Sequence, residues 1–242
     1  MSGHSKWNNI KNKKGKADAA RGKIFTKLGR ELLIAVKQGG PDPSTNSKLK
    51  DVIIKAKANN MPNDTIERSI KKASGNDNNK NYEEIVYEGY GPNGIAIIIN
   101  SATDNRNRTA SEVRHIFDKF GGNLGTTGCV SYLFDKKGII IIEKENCNLN
   151  EDEIILLSLE AGADDIETEQ EYYEIITLPE NFSKVREELE KNGITFIQAE
   201  IQLLPQIYIK LDEQASKKME LLIEKLEELD DVLEVYHNWE EN

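Results

Sequence analysis

Ten residues near the start of the chain have the types and spacing to hold a phosphate backbone. Lys6, Lys11, Lys13, Lys14 and Lys16 share residues 5–17 with one aromatic, Trp7, and with no acid. Each lysine placed on a phosphate releases a condensed counterion, and an aromatic ring can stack on a base. The run shows no helical apolar period, so it reads as an arm that stays mobile until it binds. After Arg21 a second group follows at helical spacing. At about 100° per residue, Lys27, Arg30 and Lys37 fall within roughly 40° of Lys23. Phe25, Leu28, Leu32, Ala35 and Val36 fall on the opposite side. Any amphipathic helix points charge outward, but a solvated face mixes signs. Here only Glu31 interrupts the cations after Asp18. The candidate nucleic-acid-binding set is therefore Lys6, Trp7, Lys11, Lys13, Lys14, Lys16, Arg21, Lys23, Lys27 and Arg30.

A second candidate phosphate site is Arg106 and Arg108, in Asn105-Arg106-Asn107-Arg108-Thr109, with Arg114 beyond them. They sit at or near a helix N-terminus, where N–H groups favour anions and guanidinium groups grip phosphate bidentately. The other reading has these arginines neutralise acids across a domain interface, and both stay open.

Other chemistries find no carrier. No metalloprotease, Walker, nucleophile-elbow or EF-hand pattern occurs. Gly89-Tyr90-Gly91-Pro92-Asn93-Gly94 matches G-x-G-x-x-G but leads into Ile95–Ile99, a strand, so it reads as a hairpin turn. The glycine-rich Gly121–Gly128 follows a helix C-terminus, the wrong dipole end for an anion cradle, and reads as a loop. His4, His115 and His237 have no ligand spacing. The carboxylates at Asp164, Asp165, Glu167, Glu169, Glu171 and Glu174 read as a solvated face. Cys129 and Cys147 read as two reduced thiols. The expectation is no catalytic residue, no metal, no cofactor and no small-molecule substrate.

The charges are partitioned along the chain. Residues 1–80 hold 18 Lys/Arg against 7 Asp/Glu, whereas residues 81–242 hold 14 against 35. A polyanion would be drawn to one end and repelled by the rest. Apolar content of 38% and charge of 31% describe a soluble globular protein, and no apolar run approaches a membrane span. The start lacks a hydrophobic stretch after its first cation, so it does not read as a secretory signal. A cytoplasmic protein is expected.

Apolar spacing places helices at about 18–38, 47–59 and 64–75, joined by short turns, which gives a three-helix bundle. Residues 74–81 read as a linker. Beyond it the period changes to that of strands. Strands at 83–88 and 95–100 precede a helix opening with the capping pattern Thr109-x-x-Glu112 and a strand at Cys129–Phe134. Residues 135–204 carry a complete βαββαβ order. A strand at Gln206–Leu211, a helix at Glu213–Leu229 and a strand at Val232–Trp239 follow. The expected class is multidomain α+β: a bundle over 1–76, then two ferredoxin-like α/β domains, one (135–204) inserted in the other (82–134 plus 205–242). A tandem arrangement is the alternative.

Several short runs, in order, resemble the YebC/PmpR family. They include Gly3-His4-Ser5-Lys6-Trp7, Arg21-Gly22-Lys23-Ile24-Phe25-Thr26-Lys27, Asn60-Met61-Pro62, Tyr87-Glu88-Gly89-Tyr90-Gly91-Pro92, Thr103–Thr109, Glu112-Val113-Arg114-His115 and Gly121–Gly125. The resemblance covers essentially the whole chain and is densest up to residue 135. It implies three domains and a DNA-binding regulator of transcription, with mitochondrial relatives resembling translational activators and bacterial relatives tied to the ribosome. It carries no catalytic site. Asn46-Ser47-Lys48 departs from the family's Asn-Pro-Arg, which should affect only the start of the second helix. The expected function is a non-enzymatic, nucleic-acid-binding regulator of gene expression. Its target is DNA, or ribosomal RNA or tRNA, and the ribosome is a further candidate partner. No membrane partner is expected. A protein-interaction adaptor working through the acidic face is the remaining alternative.

Overall fold

The computed structural model describes residues 17–75 and 82–240. The fold is multidomain α+β. Among the described residues, 17–134 with 205–240 form one compact unit and 135–204 form another.

The first unit opens with helices α1 (Ala17–Gly39), α2 (Ser47–Ala58) and α3 (Asn63–Ser74). Leu28, Leu32, Ala35 and Val36 of α1 meet Leu49, Val52 and Ala56 of α2 and Ile66 and Ala73 of α3. Asn46 joins α1 to α2. Its buried amide donates to the carbonyls of Ala35 and Gly40, both at 2.8 Å, and its oxygen accepts the Leu49 N–H at 3.0 Å. One side chain thus ends one helix and caps the next. A Cβ on Gly39 would lie 2.6 Å from the Asn46 Cγ, so only glycine leaves room for this cap.

Strands β1 (Glu83–Tyr90) and β2 (Ala96–Thr103) pair antiparallel from Glu83 opposite Thr103 to Tyr90 opposite Ala96. Asn93 (φ 54°) and Gly94 (φ 80°) make the tight turn between them, so the glycine motif is a hairpin. Helix α4 (Arg106–Lys119) leads to the two-residue strand β3 (Asn123–Leu124). Beyond the second unit come helix α7 (Glu213–Glu228) and strand β8 (Val232–His237). The sheet order is β3-β1-β2-β8. Ile95, Ile97 and Ile99 pack on Val113, Ile116 and Phe117 of α4 and on Met219, Leu222 and Leu226 of α7. Ala96, Ile98 and Ala102 are buried as well, which explains the unbroken apolar run of β2.

The second unit runs β4 (Phe134–Glu143), α5 (Glu151–Ala161), β5 (Asp165–Thr168), β6 (Tyr172–Thr177), α6 (Phe182–Lys191) and β7 (Gln198–Pro205), with sheet order β5-β6-β4-β7. This is the ferredoxin-like path. Asn150 and Glu153 form a reciprocal capping box at α5, and Gly162 ends that helix at φ 111°.

Two expected strands are absent. Cys129–Leu133 folds as a turn and a 3-10 segment (Ser131–Leu133), Phe134 already belongs to β4, and the strand after α4 is instead Asn123–Leu124. Gln206–Leu211 opens with a bend at Gln206 and Ile207 and makes only an isolated bridge, Ile209 to Trp239. The first unit's sheet thus has the layout of a ferredoxin-like sheet along a different path. A hairpin comes first, and its last helix and strand come from the C-terminal segment.

Candidate nucleic-acid interface

Lys6, Trp7, Lys11, Lys13, Lys14 and Lys16 lie outside the described residues. The rest of the first candidate set lies on α1 and divides in two. Arg21 and Lys23, on its first turns, are exposed. Lys27 and Arg30, one and two turns further on, face the C-terminal end of α7. The Lys27 ammonium donates to the Glu227 carbonyl at 2.7 Å. Arg30 donates to the Asp230 carbonyl and, at 2.7 Å, to the Asp231 carboxylate. The last carbonyls of a helix lack intrahelical partners and carry its negative dipole end, so two cations there are well placed. Burial nevertheless pushes the Lys27 ammonium below its ordinary value, although Glu227 and Asp230 act in the opposite sense.

Asp231 is the hub of this contact. Its side chain is 6% exposed. Oδ2 accepts from Arg108 at 2.6 Å, Thr109 at 2.7 Å and Thr103 at 3.0 Å. Burial alone would raise its pKa. The bonds from Arg108, Thr109 and Thr103, with the nearby Arg30 charge, outweigh burial and hold it below the ordinary carboxylate value. Two further pairs widen the seam. Lys55 bridges Glu31 and Glu234, and Lys48 meets Glu84 at 2.6 Å. Arg30 also lies over the Tyr82 ring, 5.2 Å from its centre. Half of the α1 stripe therefore joins the bundle to the sheet domain.

The second candidate site resolves residue by residue. Arg108 pairs with Asp104 and Asp231, which is the neutralising arrangement. Arg106 is exposed and reaches Glu83 at 3.5 Å. Arg114 is exposed on α4. The helix start that they flank is capped by Asn105, whose side chain accepts the Arg108 N–H at 3.1 Å.

The bundle exposes further cations outside the candidate set. Lys50 and Lys57 lie on α2, and Arg68, Lys71 and Lys72 lie on α3. Their signal was in the sequence, as outward positions of two amphipathic helices, but interspersed acids hid it. The result is a bundle whose cations divide into those facing the sheet domain and those facing solvent. Among the described residues no group of three His, Cys, Asp or Glu side chains is arranged to hold a metal ion. No described helix is long and apolar enough to cross a membrane.

A basic three-helix bundle joined by ion pairs to an acidic α/β sheet domain, with a ferredoxin-like unit between that domain's halves, defines the class. The family models that match are the TACO1/YebC protein N-terminal domain, over residues 5–76, and the TACO1/YebC second and third domain, over residues 82–239. The chain belongs to the TACO1/YebC family. It is 64% identical over 240 residues to a protein of Acetivibrio thermocellus, covering 99% of each chain. To a protein of Caldicellulosiruptor saccharolyticus it is 61% identical over 241 residues, covering 100% of this chain and 99% of the other. Both carry the name "probable transcriptional regulatory protein". The crystal structure of a conserved hypothetical protein from Aquifex aeolicus is similar at a TM-score of 0.83 and 45% identity, covering 93% of each chain.

Proposed function

We propose that this protein is a non-enzymatic, cytoplasmic regulator of gene expression that binds nucleic acid through its basic N-terminal third. The observation that carries this reading is what remains after internal pairing. With Lys27, Arg30, Lys48 and Lys55 engaged in the seam, the bundle still exposes Lys23, Lys57, Arg68 and Lys71. The five lysines of residues 5–17 add to the positive charge of this third. The acidic remainder directs the electrostatic part of contact to this end. The names of the relatives favour DNA as the target. Structured RNA, including ribosomal RNA or tRNA, is the second reading. It is favoured by the lysines of residues 5–17, which carry no acid among them and suit backbone contact better than base reading. Salt titrations of binding to duplex DNA and to a folded RNA test both. Lys23→Ala should lower the slope of log affinity against log salt by about 0.7–0.9. The nucleic acid bound more tightly at physiological salt identifies the target class. Absence of binding to either refutes the proposal and leaves the acidic-faced adaptor.

A further inference from the structure

We infer that the turn at residues 125–132 is a second nucleic-acid contact, taking an unpaired base on the ring of Tyr132. The inference rests on the nucleic-acid reading above and adds to it a site separate from the basic bundle. It begins with Glu88, which is 4% exposed. A buried carboxylate normally needs a cation. Among the described residues Glu88 has none and instead accepts three backbone N–H groups: Gly128 at 2.7 Å, Val130 at 2.9 Å and Ser131 at 2.9 Å. The turn is held at other points as well. The Gly125 N–H donates to the Glu88 carbonyl at 2.8 Å, and Cys129 N–H to the Thr126 carbonyl at 3.1 Å. The Tyr90 hydroxyl donates to the Cys129 carbonyl at 2.9 Å. A Cβ on Gly125 would lie 2.5 Å from the Cys129 Sγ.

This fixed framework carries an exposed surface. Thr126, Thr127, Gly128 and Ser131 face solvent, and Tyr132 is 66% exposed. The Tyr132 side chain lies beside Tyr90, and its ring faces solvent. A tyrosine has only two side-chain torsions and loses little conformational freedom when a base stacks on it. Charge points to the ligand. From Phe120 to Phe134 there is no charged residue, in a chain that is 31% charged. The turn thus carries no carboxylate of its own to repel a polyanion, and the Glu88 charge beneath it is buried and taken up by three N–H groups. Stacking on an aromatic needs no particular base, and the exposed Thr126 and Thr127 hydroxyls can reach sugar and base edges.

The experiment measures binding of the full chain to a blunt hairpin duplex and to the same duplex with a short single-stranded extension, each made as RNA and as DNA. The extension should tighten binding about 5- to 150-fold, the equivalent of stacking one base. That gain should be insensitive to salt. Tyr132→Ala should remove it while leaving blunt-duplex affinity and melting temperature unchanged, and Tyr132→Phe should keep most of it. The backbone that shows the larger gain identifies the source of the base. No gain from the extension, or a gain that survives Tyr132→Ala, overturns this site while blunt-duplex binding keeps the parent reading intact. Failure to bind the blunt duplex at all counts against the parent reading.

Discussion

Replacing Asp231 by alanine tests whether the bundle is fastened to the sheet domain as described. The carboxylate accepts from Arg30, Arg108, Thr103 and Thr109. Removing one member of a buried ion pair costs about 3–5 kcal/mol, because the partner stays buried without its counter-charge. Two features place this case at the low end. Arg108 is 44% exposed and keeps Asp104, and Arg30 keeps the Asp230 carbonyl. The expected loss is about 3 kcal/mol, or roughly 6–12 °C in melting temperature for a unit of this size. Urea unfolding should show a lower midpoint at unchanged slope. The pH dependence gives a second reading. Asp231 is held below its ordinary value in the folded protein. Its contribution is therefore complete above the unfolded-state pKa of about 3.9 and is lost as pH falls through the folded value. The gap between wild type and Asp231→Ala should stay constant from pH 7 to 5 and narrow below about pH 4. A loss under about 1 kcal/mol at pH 7, or a gap that fails to narrow in acid, refutes the latch.

Lys27→Ala with Arg30→Ala should cost about 1–3 kcal/mol of stability, since Lys27 bonds to the Glu227 carbonyl at the end of α7 and Arg30 to Asp231 just beyond it. The salt slope of nucleic-acid binding should stay unchanged, and a slope reduced by nearly two would return these residues to phosphate. Gly138→Ala should destabilise the 135–204 unit by about 1–3 kcal/mol, because a Cβ there would collide with Thr177 and lie 2.6 Å from the Phe182 ring. Hydrogen exchange confined to that unit is the readout, with nucleic-acid affinity unaffected.

The helices were legible wherever apolar residues marked a face. Leu28, Leu32, Leu49, Val52 and Ile66 are buried as their spacing requires. Boundaries shifted where the first turn is polar: α4 starts at Arg106 under an Asn105 cap, whereas the capping pattern pointed to Thr109. The strand expected at Cys129–Phe134 failed for a physical reason. The backbone donors of Val130 and Ser131 go to Glu88, more than 40 positions earlier in the chain. No local pattern announces that partner. The α1 stripe shows a similar limit. Its sign and face were readable, but Arg30 meets Asp231 from 201 positions away, and period alone does not distinguish phosphate from carboxylate.

The sheet order imposes a delay during synthesis. Strand β2 lies inside its sheet between β1 and β8, yet β8 emerges about 130 residues later, which takes roughly 6–26 s on a ribosome. Throughout that interval one edge of an isoleucine-rich strand has no neighbour, the condition under which nascent chains pair wrongly with one another. Asp231 is made in the same final segment as β8, so edge closure and the fastening of the bundle arrive together. A chain cut short before residue 231 would hold its basic bundle loose beside an open sheet, a state open to proteolysis. Quality control could therefore act on incomplete copies without any dedicated signal.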